Sequence, residues 1–441
     1  MKLKRGIILK IFFTHIVVLM VLLHPILLFG QSNTISNGSN QSSEIQIDTV
    51  KKIAGNENFF EQKYITGDWW GARSLLENRG INFDLRYSST YQGLIAGTGQ
   101  KSFDYGGKVN ALINLETDKM RLWKGGNFNF HLEYRHGAAQ TNPGGTIFAV
   151  NTALFLPSDS PTQLVATSIN YTQKIGNGHR ISIGKFNPID VYASDPFYGG
   201  WGVDRFMNVV LVAPPSGLIP VVFMGAITSI NLEPVTLTAI VFDPNDRTND
   251  YFPGDLFKDG VTIGANATAV TKLAGRRTSY GITGFYSTAE GTDYSTLGGG
   301  VINTSTKTGA FNINVQFKHN LQESSEHPDA AWGLSFKAGI ADGNPNYVKS
   351  SVVVGIGGRP LFFGRHQDSF GVGYFYYNLS DVLEDSFNPL VSITDESGLE
   401  IFYTYAITPW LYISADLQYI NPFRERFKNA FIGGLRTQIR I

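Results

Sequence analysis

Charged residues that could do chemistry fall into two settings in this 441-residue chain. Asp84 with Arg86, Glu133 with Arg135, and Asp416 lie inside runs where polar and apolar residues alternate. On an extended chain a spacing of two puts both members of a pair on one face. Lys185, Asp190 and Arg205 instead belong to a stretch dense in charge, Asn and aromatics. It begins Gly184-Lys185-Phe186-Asn187-Pro188-Ile189-Asp190 and runs on through Asp195 to Asp204-Arg205. Acidic and basic groups side by side, facing water, can exchange hydrogen bonds with a polar solute. They do not make a nucleophile with its base.

Other reactive constellations are missing from the sequence. Eight histidines are present, and two of them, His15 and His24, sit in the N-terminal apolar segment. The remaining six show no metal-ligand spacing; His131 and His136 read as polar strand or loop residues. There is no Gly-x-Ser-x-Gly elbow and no Walker loop. With no cysteine, thiolate nucleophiles, disulfides, cysteine-bound metals and a lipid-modified N-terminal cysteine are all excluded. Neither a catalytic residue nor a metal or cofactor site is expected.

The elements that must position the charges are strands. Ile81, Phe83, Leu85 and Tyr87 alternate with Asn82, Asp84, Arg86 and Ser88. The same pattern recurs over 109–116, 128–135, 311–318 and 411–419. Aliphatic and aromatic residues on one face and Asn, Gln, Ser, Asp and Arg on the other fit a barrel with a lipid-facing outside and a wet lumen. The last strand, Phe431 to Ile441, keeps its apolar row to the final residue, which suits pairing with the first strand and closure of the sheet. Reading backwards, the tight Thr408-Pro409 turn follows the long polar loop 378–398, an alternation of short turns and long loops. That places the end of the last strand on the periplasmic side. The 361 residues from Ile81 onward, at roughly 22 per strand and connection, give about 16 strands, and the length also accommodates about fourteen or eighteen. Before them, Leu75-Leu76 with Gly80 predicts a short helix stopped by glycine. Tyr87, Tyr91, Trp123, Tyr134, Trp332, Tyr374, Tyr376, Trp410 and Tyr419 are read as interfacial aromatic girdles. The proline-rich middle, with Pro214-Pro215, Pro220, Pro234 and Pro244, does not resolve into strands. For the stretch from Gly184 to Arg205 two readings stand side by side, a loop folded into the lumen and one that stays outside.

Composition agrees with export to a membrane. A basic cluster (Lys2, Lys4, Arg5, Lys10), an apolar run to Phe29 and Gly30 predict a signal peptide over 1–30. Residues 31–63 read as a flexible leader and 64–441 as the barrel domain. Beyond residue 30 the chain holds 32 basic and 36 acidic residues, no basic field for nucleic acid. Glycine (48), Phe (31) and Tyr (20) are abundant and charges make up 16%. The same profile suits a secreted soluble β-protein such as a surface lectin, so composition does not decide alone.

Three landmarks are more specific. Gly67-Asp68-Trp69-Trp70-Gly71-Ala72-Arg73 with Leu75 to Gly80-Ile81 resembles the N-terminal motif of the carbohydrate-selective OprB-family porins. The Gly184–Asp190 stretch resembles the family's central segment. Asp368-Ser369-Phe370-Gly371-Val372-Gly373-Tyr374 and Glu400 to Leu411 resemble its C-terminal part. The resemblance implies an all-β, 16-stranded transmembrane barrel in the outer membrane of a Gram-negative bacterium, embedded in outer-membrane lipids. It would pass mono- or oligosaccharides by passive diffusion past charged residues at a constriction. Asp84, Arg86, Glu133, Arg135, Lys185, Asp190, Arg205 and Asp416 are then the pore-lining candidates. Two positions depart from the family pattern: Trp70, where a small residue is usual, and Ile441, where an aromatic is. A general diffusion pore and an outer-membrane barrel hydrolase are the rival readings. Whether the barrels assemble as homotrimers stays open.

Overall fold

The computed structural model describes residues 58–441, apart from 138–141, 156–162, 177, 194, 196, 198–203, 214, 216–217, 298–304, 328, 362–363 and 389. The predicted signal peptide and the leader up to residue 57 lie outside the described residues.

Sixteen antiparallel strands close on themselves, each paired with its sequence neighbour and the last with the first. They are β1 (Ile81–Ala96), β2 (Phe103–Glu116), β3 (Gly126–Gly137), β4 (Leu164–Ile175), β5 (His179–Phe186) and β6 (Phe223–Asn231). After these run β7 (Val235–Phe242), β8 (Thr262–Leu273), β9 (Arg276–Thr292), β10 (Thr306–Glu323) and β11 (Ala331–Ala341). The set ends with β12 (Val348–Gly358), β13 (Ser369–Leu379), β14 (Glu396–Thr408), β15 (Leu411–Asn421) and β16 (Ala430–Arg440). At one end the turns are short, as at 176–178, 232–234, 274–275 and 409–410; at the other stand the connections 138–163, 187–222, 243–261 and 380–395. No described helix is long and apolar enough to cross a membrane; the crossing elements are strands.

Period-two chemistry positions every side chain. On β15, Ile413, Leu417 and Tyr419 are exposed outward while Ser414, Asp416 and Gln418 are buried inward. β16 does the same with Leu435 outside and Arg436 and Gln438 inside. A one-residue slip would turn each carboxylate and guanidinium to lipid, so the register is tightly specified.

The barrel seam is closed by residues before β1. The helix α1 (Ala72–Asn78) ends at Gly80, whose φ of +86° is left-handed and whose carbonyl accepts the Glu116 N–H at 2.7 Å. A Cβ there would lie 2.6 Å from the Glu116 oxygen, so glycine is required by space as well as by conformation. Residues 58–63, read as the end of the leader, pack on the same end: the Trp410 indole donates to the Phe59 carbonyl at 2.9 Å. Trp410 is therefore buried in this plug, not placed in an outer girdle. Trp70, by contrast, is fully exposed, with a φ of 57°.

The 243–261 connection carries its own ion cluster. Arg247 grips buried Asp243 with two bonds, at 3.2 and 3.0 Å, and reaches Asp250 (3.0 Å) and Asp255 (3.1 Å). Burial pushes the Asp243 carboxyl up, but Arg247 and the N–H groups of Phe257 and Asn245 outweigh it and hold its pKa below the ordinary value. A depressed carboxylate stabilises the fold above its unfolded pKa, and that contribution is lost as pH falls through the lower folded value. Amide-exchange protection across 243–261 should thus be constant from pH 5 to pH 8 and drop below about pH 4. Protection that is unchanged in acid would show the cluster contributes nothing.

Candidate functional site

The 187–222 connection turns the lumen into a site. Its first helix, α2 (Pro188–Ala193), starts with proline, whose missing N–H costs nothing at that position. Asn187 precedes it, and its side chain accepts the Ile189 N–H at 3.0 Å. The turn α3 (Val209–Val212) is capped by Asn208, which accepts from the Val210 N–H at 3.0 Å.

Between these turns the loop is tied to strands all round the far wall. Asp195 pairs with Lys318 of β10, and Lys337 of β11 donates to the Leu211 carbonyl at 3.2 Å. Asp204 meets Arg86 of β1 at 3.4 Å, and its carbonyl accepts from Ser369 of β13 at 2.7 Å. Arg436 of β16 donates to the Arg205 carbonyl at 2.9 Å. Glu400 of β14 accepts the N–H groups of Met207 (2.5 Å) and Asn208 (2.9 Å), and Gln418 of β15 accepts from the Asn208 amide at 3.1 Å. Of the two readings of this loop, the one inside the lumen is what the structure shows.

The wall is shaped to receive it. Phe206 packs edge-on to Phe402 with ring centroids 4.9 Å apart, over Gly371 and Gly373 of β13. A Cβ on Gly371 would approach Phe206 to 2.7 Å, and one on Gly373 would lie 2.9 Å from both Phe206 and Leu211. These two glycines belong to the C-terminal motif, and this contact is the physical reason for them. The 138–163 connection adds to the filling: Gln418 donates to the Val150 carbonyl at 2.9 Å and Arg135 to the Leu154 carbonyl at 2.6 Å. An apolar cluster including Leu94, Val150, Phe206, Leu211, Phe375 and Phe402 occupies the interior beneath β13–β16.

What stays open is the side of β1–β5. A cavity of about 720 Å³ is bounded above by Asp84, His131, Ser168 and Asp190. Asp190 binds His131 Nδ1 at 2.7 Å and accepts from Ser168 at 2.5 Å. His131 approaches Glu133 at 3.3 Å, and Glu133 pairs with Lys108 at 3.1 Å. Arg86 holds Asp84 through two bonds, at 2.8 and 2.5 Å. Opposite charges thus face each other with the carboxylates of Asp84, Asp190 and Asp204 partly accessible. Such a ring offers fixed donors and acceptors in place of the water around a solute.

The eight predicted residues separate into three groups. Asp84 and Asp190 line one cavity, with Arg86 bonded to Asp84, and Arg205 sits on the loop with its carbonyl held by Arg436. Glu133, Arg135 and Asp416 are buried behind it: Glu133 supports His131, Arg135 ties down the 138–163 connection, and Asp416 is sealed beneath the loop beside Gln418 (2.9 Å). Lys185 is a correction. In register it stands opposite Ile169 and Met224, on the outer side shared with Ile181 and Ile183. Its ammonium donates to the carbonyls of Thr248 (2.7 Å) and Asp250 (3.0 Å), under the Tyr251 ring. β5 runs on through Phe186, so strand parity, not loop freedom, decides where Lys185 points. It anchors the 243–261 connection and does not line the lumen.

Sequence reasoning missed Lys318, Lys337, Asp204 and Glu400 as parts of the site. Lys318 had a usable signal, since it falls in the polar set of a clear alternating run. Glu400 shares the inward parity of Phe402 and Thr404, but which inward residue meets the loop depends on the fold.

A closed 16-strand antiparallel barrel, apolar outside and polar within, with a loop pinned across its lumen, defines a channel of the porin class. The chain belongs to the carbohydrate-selective porin, OprB family, whose model matches residues 100–441. That family resides in the outer membrane of Gram-negative bacteria. The high-pH structure of Pseudomonas putida OprB superimposes with a TM-score of 0.72 at 21% identity, covering 87% of this chain and all of that one. The low-pH structure of the same protein gives 0.54 at 18% identity, covering 86% and 99%. No curated protein sequence matches the chain.

Proposed function

We propose that the protein, after export and removal of residues 1–30, lets neutral mono- or oligosaccharides diffuse passively across the outer membrane. Its family makes sugars the solute class, and one observation carries the mechanism. Described residues of the 187–222 loop are bonded to strands across the lumen, and a charged opening stands beside them at Asp84, Arg86, Asp190 and Asp204. A sugar needs both donors and acceptors to replace its water, and the Arg86 guanidinium with the carboxylates of Asp84, Asp190 and Asp204 supplies both. Buried supports such as Lys108–Glu133 hold those groups still, so passage costs little reorganisation. The long-loop end faces outward and the short-turn end faces the periplasm.

Purified protein in planar bilayers tests this. Glucose should reduce the salt current in a saturable way, and an amino acid of similar size should not. Equal reduction by both would make the protein a general diffusion pore. No conductance at all would end the channel reading.

A further inference from the structure

Below the charged opening the lumen wall changes character within one step. Asn82, Asn114, Asn129 and Asn170 stand in register on four consecutive strands, β1 to β4. They lie two residues along from the row containing Asp84, His131 and Ser168, about 7 Å toward the short-turn end. Each amide touches the next: Asn82 donates to Asn114 at 3.4 Å, Asn114 to Asn129 at 2.7 Å, and Asn129 to Asn170 at 3.0 Å. The row is tied at both ends, by Asn82 to Glu116 (2.9 Å) and by Asn170 to the Lys185 carbonyl (3.4 Å). All four are half-buried and line the 720 Å³ cavity, with Phe186 and Tyr64 on its walls.

We propose that this amide row is a second saccharide station, on the exit side of the charged opening. The inference rests on the carbohydrate reading above and adds a site to it. A side-chain amide has two N–H donors and a carbonyl with two lone pairs. The bonds along the row use both donors of Asn82 and Asn114 but one each of Asn129 and Asn170. What remains is a carbonyl lone pair at every position and a free N–H at two of them. That mixed, uncharged set suits hydroxyls, which both donate and accept. The strands are about 4.8 Å apart, so neighbouring amides meet neighbouring hydroxyls of one sugar ring. The lateral bonds fix each amide's orientation before a sugar arrives, which lowers the ordering cost of binding. Phe186 and Tyr64 supply apolar surface for the C–H faces. Two successive weak stations hand a solute onward where one tight station would retain it.

The test compares wild type with Asn129→Ala in planar bilayers, reading salt conductance and the glucose concentration that halves the current. The station predicts a half-blocking concentration raised roughly fivefold, the loss of one or two hydrogen bonds, with conductance unchanged. Folding is checked by heat-modifiable gel mobility, and if Asn129→Ala does not assemble, Asn170→Ala at the row's end is used in the same way. Equal block of folded variant and wild type would overturn the station while leaving the sugar channel intact. Conductance and block changing together, or failure of both variants to assemble, would make the row a stiffening ladder and also overturn it. A wild type that glucose does not block would remove the carbohydrate reading itself.

Discussion

Replacing Glu400 by alanine should open the channel: salt conductance rises severalfold and glucose no longer blocks it. Glu400 is fully buried and accepts the N–H groups of Met207 and Asn208, while Lys337 and Arg436 hold carbonyls of the same loop. Its removal leaves two buried donors without a partner, at a cost of about 1–3 kcal/mol each. The barrel can avoid that cost only by letting the loop move to water. The sixteen strand pairings are untouched, so heat-modifiable mobility should stay near wild type. Glu400→Gln keeps one acceptor oxygen and should fall between. Gly373→Val tests the same idea from the apolar side, because any Cβ there crowds Phe206 and Leu211. Both variants must widen the pore if the loop sets the constriction. Wild-type conductance in both would show that the passage is limited elsewhere.

That loop also marks the boundary of what the sequence could show. Strand alternation, the pairing of last strand with first and the helix stopped at Gly80 follow from the residues themselves, while length only brackets a strand count that the resemblance puts at sixteen. A lumen and a lipid phase impose a period of two on each strand separately. Contacts across the lumen impose no such pattern. On β13, Phe375, Tyr377 and Leu379 face inward and are buried, although aromatic and aliphatic residues on the other strands suggest the lipid side. They are inward because the loops pack on them, and no window of β13 alone reveals that. Lys185 failed for the opposite reason. Its parity with Ile181 and Ile183 is readable, but a loop taken from Gly184 ends the strand before Lys185, and β5 runs on to Phe186. Asp416 had the right parity too; only the loop lying over it turns a lumen residue into a buried support.

The second large effect concerns closure at the short-turn end, where β1 meets β16. Arg73→Leu should lower the temperature at which the folded electrophoretic form is lost, with conductance of the remaining folded barrels unchanged. Arg73 is 3% exposed and joins three parts of the seam. It donates to the carbonyl oxygen of Ile441 at 2.9 Å and to the Phe83 carbonyl at 3.3 Å. Its guanidinium also lies 3.7 Å from the Tyr64 ring centroid and 4.4 Å from that of Trp69. Ile441 itself donates its N–H to Leu85 at 2.8 Å, and Ile65 donates to Arg440 at 2.9 Å. Ile441 is therefore held by its backbone bond to Leu85 and by one cation. Loss of charged hydrogen bonds and ring contacts together is worth about 3 kcal/mol. Arg73→Lys retains the charge but not the planar fork, so it should recover only part of the loss. If leucine leaves the transition temperature unchanged, the strand pairing of β1 with β16 closes the barrel alone, and the Arg73 contacts only decorate it.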